Sequence, residues 1–229
     1  MTTPAVVAQD LYRFYRSGDE EVLALRGVSL TVAAGALVVV AGPSGSGKST
    51  LLALLAGLDE PDGGSVTLAG ERMSHRPEGQ RTLLRRRLVG VLRQTGNLIG
   101  HLTVRENLDL VRRLRTRSAR GRQAEELLDL VSLGHRASAL PGELSGGELA
   151  RAGLAVALAG DPVVLIADEP TGELDLAHER RVVALLHDVT ATGTAVVVAS
   201  HSAEVAAGAD QLLRLADGSW ADEPERTRA

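Results

Sequence analysis

Residues 42–50 read GPSGSGKST, directly after the apolar run ALVVVA at 36–41 and at the head of a Leu- and Ala-rich stretch at 48–58. The spacing Gly42-x-x-x-x-Gly47-Lys48-Ser49 is that of a phosphate-binding loop set between a buried strand and a helix. Glycines let successive backbone N–H groups curl around an anion, and the following helix N-terminus adds its positive dipole end. Lys48 is the only lysine of the chain, the other 24 basic residues being arginine. A compact ammonium on a flexible stem can enter such a loop and bridge β- and γ-phosphates, whereas a planar guanidinium needs room for its fork. Ser49 is placed to ligate Mg²⁺.

The rest of the 229 residues suits this reading. At 44% hydrophobic the chain can bury a sizeable core as one domain with an insertion. Its longest apolar runs fall far short of the roughly 20 residues that span a bilayer, and no basic-then-apolar leader opens it, so a cytoplasmic protein is expected. Zero cysteines excludes disulfides, thiolate nucleophiles and Cys-based zinc sites. His178-Glu179 starts like a zinc helix, but Val182 stands where the second ligand would be. The net charge of −4 is uneven: 81–122 holds 12 Arg against Glu106 and Asp109, or +10, and the remainder 13 basic against 27 acidic residues, or −14.

The runs VSLTV, ALVVVAG and SVTLAG read as strands and 48–58 as a helix. From about 81 to 160 the spacing turns helical and predicts an all-helical insert. Thr103-Val-Arg-Glu106 is a capping box followed by Leu108, Val111 and Leu114 on one face, and AEELLDLVSLG ends in a glycine stop. Buried strands return as VVLIAD and TAVVVAS, separated by the helix DLAHERRVVALLHDV, the rhythm of a parallel sheet whose ligands sit beyond the strand C-termini. VVLIAD delivers Asp168 and Glu169 side by side. Strand alternation would turn one to the Mg²⁺ shell and the other to the γ-phosphate, where it orients or deprotonates the attacking water. His201 ends the next strand, and Gln94 follows LVGVL; each is weak alone.

LSGGELARAGLAVALAG begins at Leu144. Ser145 and Glu148 form a capping box, which by itself gives no reason for Gly146-Gly147. Two glycines at a helix N-terminus make a second anion site roughly a hundred residues after the first. If the helical insert projects from the core, one phosphate loop cannot be served by both.

Together, GPSGSGKST, Gln94, LSGGE, VVLIADEPTGELD and SHS stand in the order and spacing of ATP-binding cassette (ABC) ATPases, and the resemblance covers nearly the whole chain. The flanks LRGVSLTV, LLALLAGLDEPDGG and LTVRENL look most like the lipoprotein-release, macrolide-export and cell-division-type subfamily. The resemblance implies an α/β fold: a P-loop NTPase with a RecA-like core, an antiparallel β region and an inserted α-helical subdomain. It makes 1–229 one ABC ATPase domain, with the core about 1–80 and 160–220, the helical subdomain about 81–159 and a tail at 221–229. It also implies ATP and Mg²⁺ as cofactors, a homodimer in the ATP-bound state and a separate integral membrane permease. The protein would be peripheral on the cytoplasmic face of the membrane, with 94–102 as the contact region.

By the same resemblance, ATP is held by Gly42, Pro43, Ser44, Gly45, Ser46, Gly47, Lys48, Ser49 and Thr50. Tyr15 stands at the adenine, although Tyr12 and Phe14 are near and any of the three could instead pack under the β region. Mg²⁺ falls to Ser49, Gln94 and Asp168, and catalysis to Glu169, His201 and Lys48. Ser145, Gly146, Gly147 and Glu148 act in trans, and Asp175 is the acid of the D-loop, at the contact between the two copies. The chain departs from the family's usual residues at Glu148–Gly153, Val156, Glu173 and Ser202. The competing reading is a soluble ABC ATPase acting on nucleic acid or the ribosome, suggested by VRRLRTRSARGR. The basic segment has no aromatic residue to stack on bases, so nucleic acid is disfavoured as a partner. A phosphotransferase, the third class, would have no use for residues 145–147.

Overall fold

The valine-rich runs meet in one sheet because each is apolar on both faces. A computed structural model describes residues 3–17, 20–114, 122–172 and 174–221. In chain order the elements are β1 (Val6–Ser17), β2 (Glu20–Val32), β3 (Leu37–Ala41), α1 (Lys48–Leu55), β4 (Gly63–Leu68), β5 (Glu71–Arg72), α2 (Glu78–Leu88) and β6 (Val89–Leu92). There follow α3 (Val104–Leu114), α4 (Ala124–Leu130), α5 (Gly146–Leu158), β7 (Val164–Asp168), α6 (Leu176–Ala191), β8 (Ala195–Ala199), α7 (Ala203–Ala207), β9 (Gln211–Ala216) and β10 (Ser219–Trp220). The central sheet has the order β10-β9-β3-β8-β7-β6, parallel except for β10. A second sheet, β2-β1-β4-β5, is antiparallel.

Period-two alternation divides the core into two layers. Val38, Val40, Val164, Ile166 and Val197 face the antiparallel sheet and α1, which contributes Leu51, Leu54 and Leu55. Leu37, Val39, Leu165, Val196 and Val198 face the other side, against Leu154 and Leu158 of α5 and Leu186 and Val189 of α6.

The expectation of an insert helical throughout 81–160 is corrected. Residues 89–92 form β6, the edge strand paired in parallel with β7, and α2 buries Leu84 and Leu88 in the core layer that contains α1. Four residues are too short a run for period to separate strand from helix, and the partner strand decides. Two smaller boundaries also move. The first helix ends at Leu55 with Ala56 as its cap, not at 58. After α4 the left-handed stop is Ser132, with φ +57°, whereas Gly134 opens a 3₁₀ turn at Gly134–Arg136. The Thr103–Glu106 capping box is present, Thr103 N–H donating to Glu106 Oε2 at 2.8 Å. Along α3, Leu108 is buried, Val111 is half-buried and Leu114 is exposed. Glu173, residues 115–121 of the arginine run and the expected tail beyond 221 lie outside the described residues.

Among the described residues no helix is long and apolar enough to cross a membrane. Part of the charge asymmetry of the sequence is cancelled by ion pairs among the described residues. Arg81 pairs with Glu60 and Glu78, and Arg85 with Glu78 at 2.6 Å. Arg87 pairs with Glu71, Arg105 with Glu125 at 2.7 Å, and Arg122 with Asp161 at 3.2 Å.

Candidate functional site

The loop at 42–47 runs from the carboxyl end of β3 into α1, at the edge of the sheet where β7 and β8 also end. Gly47 takes φ +102°, and a Cβ there would stand 2.5 Å from the Ala24 carbonyl oxygen, so β2 can approach only because this residue is glycine. Lys48 Nζ donates to the carbonyls of Gly42 at 2.8 Å and Pro43 at 2.9 Å, lying across the loop it follows. Ser46 is buried, and its hydroxyl oxygen has no hydrogen-bond partner among the described residues.

A cleft of about 950 Å³ opens over this loop. Gly42, Pro43, Ser44, Gly45, Gly47, Lys48, Ser49 and Thr50 line it, with Tyr15 on one side and Gln94, Asp168, Glu169 and His201 on the other. Residues from five separate stretches of sequence thus reach one cavity. Asp217 and Gly218, in the turn between β9 and β10, line it as well, and Gly218 N–H donates to the Ser46 carbonyl at 3.1 Å. An Asp-Gly pair is a turn signal in sequence, but nothing local ties this one to the loop.

The two carboxylates reach the cleft by a route that strand alternation does not describe. Asp168 is the last residue of β7, and Glu169 already has φ +47°, in the left-handed region that non-glycine residues rarely occupy. Its N–H donates to the Ala199 carbonyl at 2.9 Å, which fixes the turn against the end of β8. Both side chains therefore point into one cavity. Glu169 Oε2 is buried 3.0 Å from His201 Nδ1, with no better-aligned partner among the described residues. Holding such a strained residue at a site is a cost that a packed sheet edge can impose.

Tyr15 lines the cleft from β1, where it faces Val22 of β2. Its hydroxyl donates to Asp59 Oδ2 at 2.9 Å, and the Arg13 guanidinium sits 4.7 Å from its ring centre. Arg13 is in turn bidentate to Asp59, both contacts at 2.9 Å. Burial alone would raise the Asp59 carboxyl, but hydrogen bonds from Glu60 N–H, Tyr15 and Arg13 and the Arg13 charge hold it below the usual range. This anchor across 46 residues had no signal in the sequence beyond the DEPDGG turn. Tyr12 and Phe14 are also partly exposed, but neither lines the cleft.

Residues 145–148 and Asp175 do not line this cleft. Ser145 caps α5, accepting from Glu148 N–H at 3.3 Å, while Glu148 Oε2 accepts from Ser145 N–H at 2.9 Å. Asp175 caps α6, accepting from His178 N–H at 2.9 Å, and its other oxygen lies 2.8 Å from His178 Nδ1. The His178 ring packs on Gly147: a Cβ there would stand 2.3 Å from ring carbon Cδ2. Within one chain the second glycine motif is thus seated on a histidine just beyond the D-loop, a contact the sequence did not suggest.

The fold and cleft define a phosphate-loop nucleoside-triphosphatase, with a parallel sheet carrying the loop, a carboxylate pair and a histidine at one edge, and a serine-capped helix that opens on two glycines in a separate helical region. The chain belongs to the ABC transporter family, whose domain model matches residues 25–172. It is an ATP-binding, ATP-hydrolysing member of that family, of the kind that powers a membrane transporter. It is 39% identical over 226 residues to the lipoprotein-releasing system ATP-binding protein LolD of Acinetobacter baylyi, covering 97% of this chain and 99% of that one. It is 39% identical over 220 residues to the macrolide export ATP-binding/permease protein MacB of Hyphomonas neptunium, covering 95% of this chain but only 34% of that one. The dimeric structure of MJ0796, a bacterial ABC transporter cassette, superposes with a TM-score of 0.89 at 33% identity, covering 98% of this chain and 99% of that one. A post-hydrolysis state of that cassette bound to ADP and Pi matches equally well, with a TM-score of 0.89 at 32% identity.

Proposed function

We propose that this chain works as one of two copies driving a separate membrane permease from its cytoplasmic face, with ATP held between the cleft of one copy and residues 145–148 of the other. The single observation carrying this reading is the split geometry. Lys48, Ser49, Asp168, Glu169 and His201 converge on one cleft, while a second glycine-rich helix start stands apart from it in the same chain. A dimer like that in which the MJ0796 cassette was solved would let the second start meet a partner's cleft. The helical subdomain is then 81–159 without α2 and β6, which belong to the core.

In this proposal the backbone N–H groups of 42–47 and the Lys48 ammonium hold the β- and γ-phosphates, and Tyr15 presents its ring to the adenine. Ser46, expected at the nucleotide, is buried and alone among residues 42–50 does not line the cleft. Ser49, Asp168 and Gln94 offer a hydroxyl, a carboxylate and an amide oxygen to one cavity, the oxygen donors a hard cation takes. These residues would hold Mg²⁺, which when bound neutralises charge on the phosphate oxygens. Glu169 accepts a proton from the attacking water as the water oxygen bonds to the γ-phosphorus and the bond from that phosphorus to the β-phosphate's bridging oxygen breaks, releasing ADP and phosphate. His201, beside that carboxylate, contacts the γ-phosphate, and Asp175 faces the partner copy.

The test has two arms. Ser145→Arg should abolish turnover while ATP binding to the monomer persists; undiminished turnover would remove the two-copy site. Tagged Glu169→Gln chain, captured with ATP·Mg²⁺ from detergent-solubilised host cells, should retain an integral membrane protein at stoichiometric yield. Ribosomal proteins or nucleic acid in its place would overturn the transporter reading.

A further inference from the structure

Glu148 places a carboxylate where the proposed site needs to receive an anion. Its Oε2 accepts from both the N–H of Ser145, at 2.9 Å, and the Ser145 hydroxyl, at 3.0 Å. The Ser145 hydroxyl proton is thus turned toward an acid of its own chain. Those two hydrogen bonds, with Arg136 and His135 adding to them, hold the Glu148 carboxyl below the usual carboxylate range, so it is an anion at neutral pH. An anion in the first turn favours the helix, and a capping box would accept neutral glutamine equally well. The capping box by itself therefore does not require the charge.

Its counter-charge comes from another element. In the 3₁₀ turn before the motif, Arg136 Nε lies 3.2 Å from Glu148 Oε1, a charge contact not aligned as a hydrogen bond, and Arg136 Nη2 donates to the Glu143 carbonyl. His135 Nε2 is more distant, at 3.9 Å. The Arg136 and Glu148 side chains are both largely covered, with 30% and 20% of their side-chain surface exposed, so this pair is less screened than a fully exposed one.

Resting on the reading of 145–147 as a site acting on the partner's ATP, we propose that Arg136 is a positioning residue of the ATP-bound dimer. It neutralises Glu148 and keeps that carboxylate on Ser145, so residues 145–147 meet the incoming γ-phosphate without an uncompensated negative charge. This role goes beyond holding the loop, because it depends on the charge of residue 148.

The test is a double-mutant cycle read on the ATP-driven dimer. Dimer dissociation constants are measured by sedimentation with ATP·Mg²⁺ in the Glu169→Gln background, with Arg136→Gln, Glu148→Gln and both together. Arg136→Gln should weaken the dimer about tenfold, the scale of one pK unit of lost compensation. The same change should cost less than about twofold when Glu148→Gln is present, because the repulsion is gone. Arg136→Lys, which keeps the charge and is the fallback should the glutamine variant unfold, should retain most of the affinity, and its deficit should also shrink with Glu148→Gln. An equal loss in both Glu148 backgrounds would mean that Arg136 serves only to tie the 3₁₀ turn to the Glu143 carbonyl, and would overturn the proposal; so would no loss at all. Ser145→Arg is measured beside them. If it leaves the dimer intact, the two-copy reading itself falls; if it abolishes the dimer while the cycle shows no coupling, only the role of Arg136 falls.

Discussion

Lys48 donates to the carbonyls of Gly42 and Pro43, within a loop whose walls are backbone. Arginine at this position would keep the charge but bring a wider, planar head into the same space. Lys48→Arg should therefore lose most nucleotide affinity, measured by fluorescence titration with a labelled ATP; near-normal affinity would show that charge alone suffices. Glu169 sits in a strained turn at φ +47° with Oε2 beside His201 Nδ1. Glu169→Gln should lower turnover by about 10² or more, the scale of a positioned general base, with ATP affinity kept. Parallel loss of both in a filter-binding and phosphate-release assay would count against that role. Asp59 adds a pH dependence away from the phosphates. Its carboxyl is depressed in the folded chain, so its stabilisation is complete above about pH 4, the unfolded range, and is lost as pH falls through the lower folded value. Asp59→Asn should flatten the acid limb of a stability profile measured by urea titration below about pH 5; an unchanged limb would show that the Tyr15 anchor contributes nothing there.

The loop between β6 and α3 is held by one buried side chain. Asn107 Oδ1 accepts from Ile99 N–H at 2.7 Å, and its amide donates to the carbonyls of Ile99, Leu102 and Thr103 at 3.0–3.2 Å. Asn107→Leu should cost about 1–3 kcal/mol for the groups left unpaired, read as a lowered urea midpoint. Because this loop is the contact region expected for a permease, the variant should also weaken capture of the membrane protein in proportion. At the start of α5 the close packing of Gly147 on His178 leaves no room for a methyl group. Gly147→Ala should impair ATP-driven dimerisation, and Gly147→Ala with His178→Ala should recover part of it in the same sedimentation assay. No recovery would mean that the glycine is needed for its backbone approach to phosphate alone.

Across the whole molecule, six of the nine described arginines in the +10 segment at 81–122 are paired with carboxylates. Glu60, Glu71 and Asp161 from elsewhere in the chain, with Glu78, Asp109 and Glu125 in or beside the segment, take up these six arginines. Short duplex DNA should accordingly show no saturable binding by fluorescence anisotropy at moderate salt. A steep salt-dependent affinity would restore the nucleic-acid reading. The loop GPSGSGKST, the strand ending in Asp168-Glu169 and the LSGGE helix start were all legible from sequence, because each is a local pattern whose spacing serves one backbone shape. The family and the parallel α/β core followed from their order along the chain. Three things were decided only in three dimensions. Residues 89–92 became a strand because β7 offers an unpaired edge, and a four-residue apolar run has no preference strong enough to choose. The pair Asp168 and Glu169 came to one cavity through a left-handed turn held by Ala199, not through alternation. Arg13 with Asp59, Arg136 with Glu148, and His178 with Gly147 join residues far apart in sequence or on different elements. Local pattern records what a segment can form by itself; a contact between segments is set by how the layers stack, and that information is spread over the whole chain.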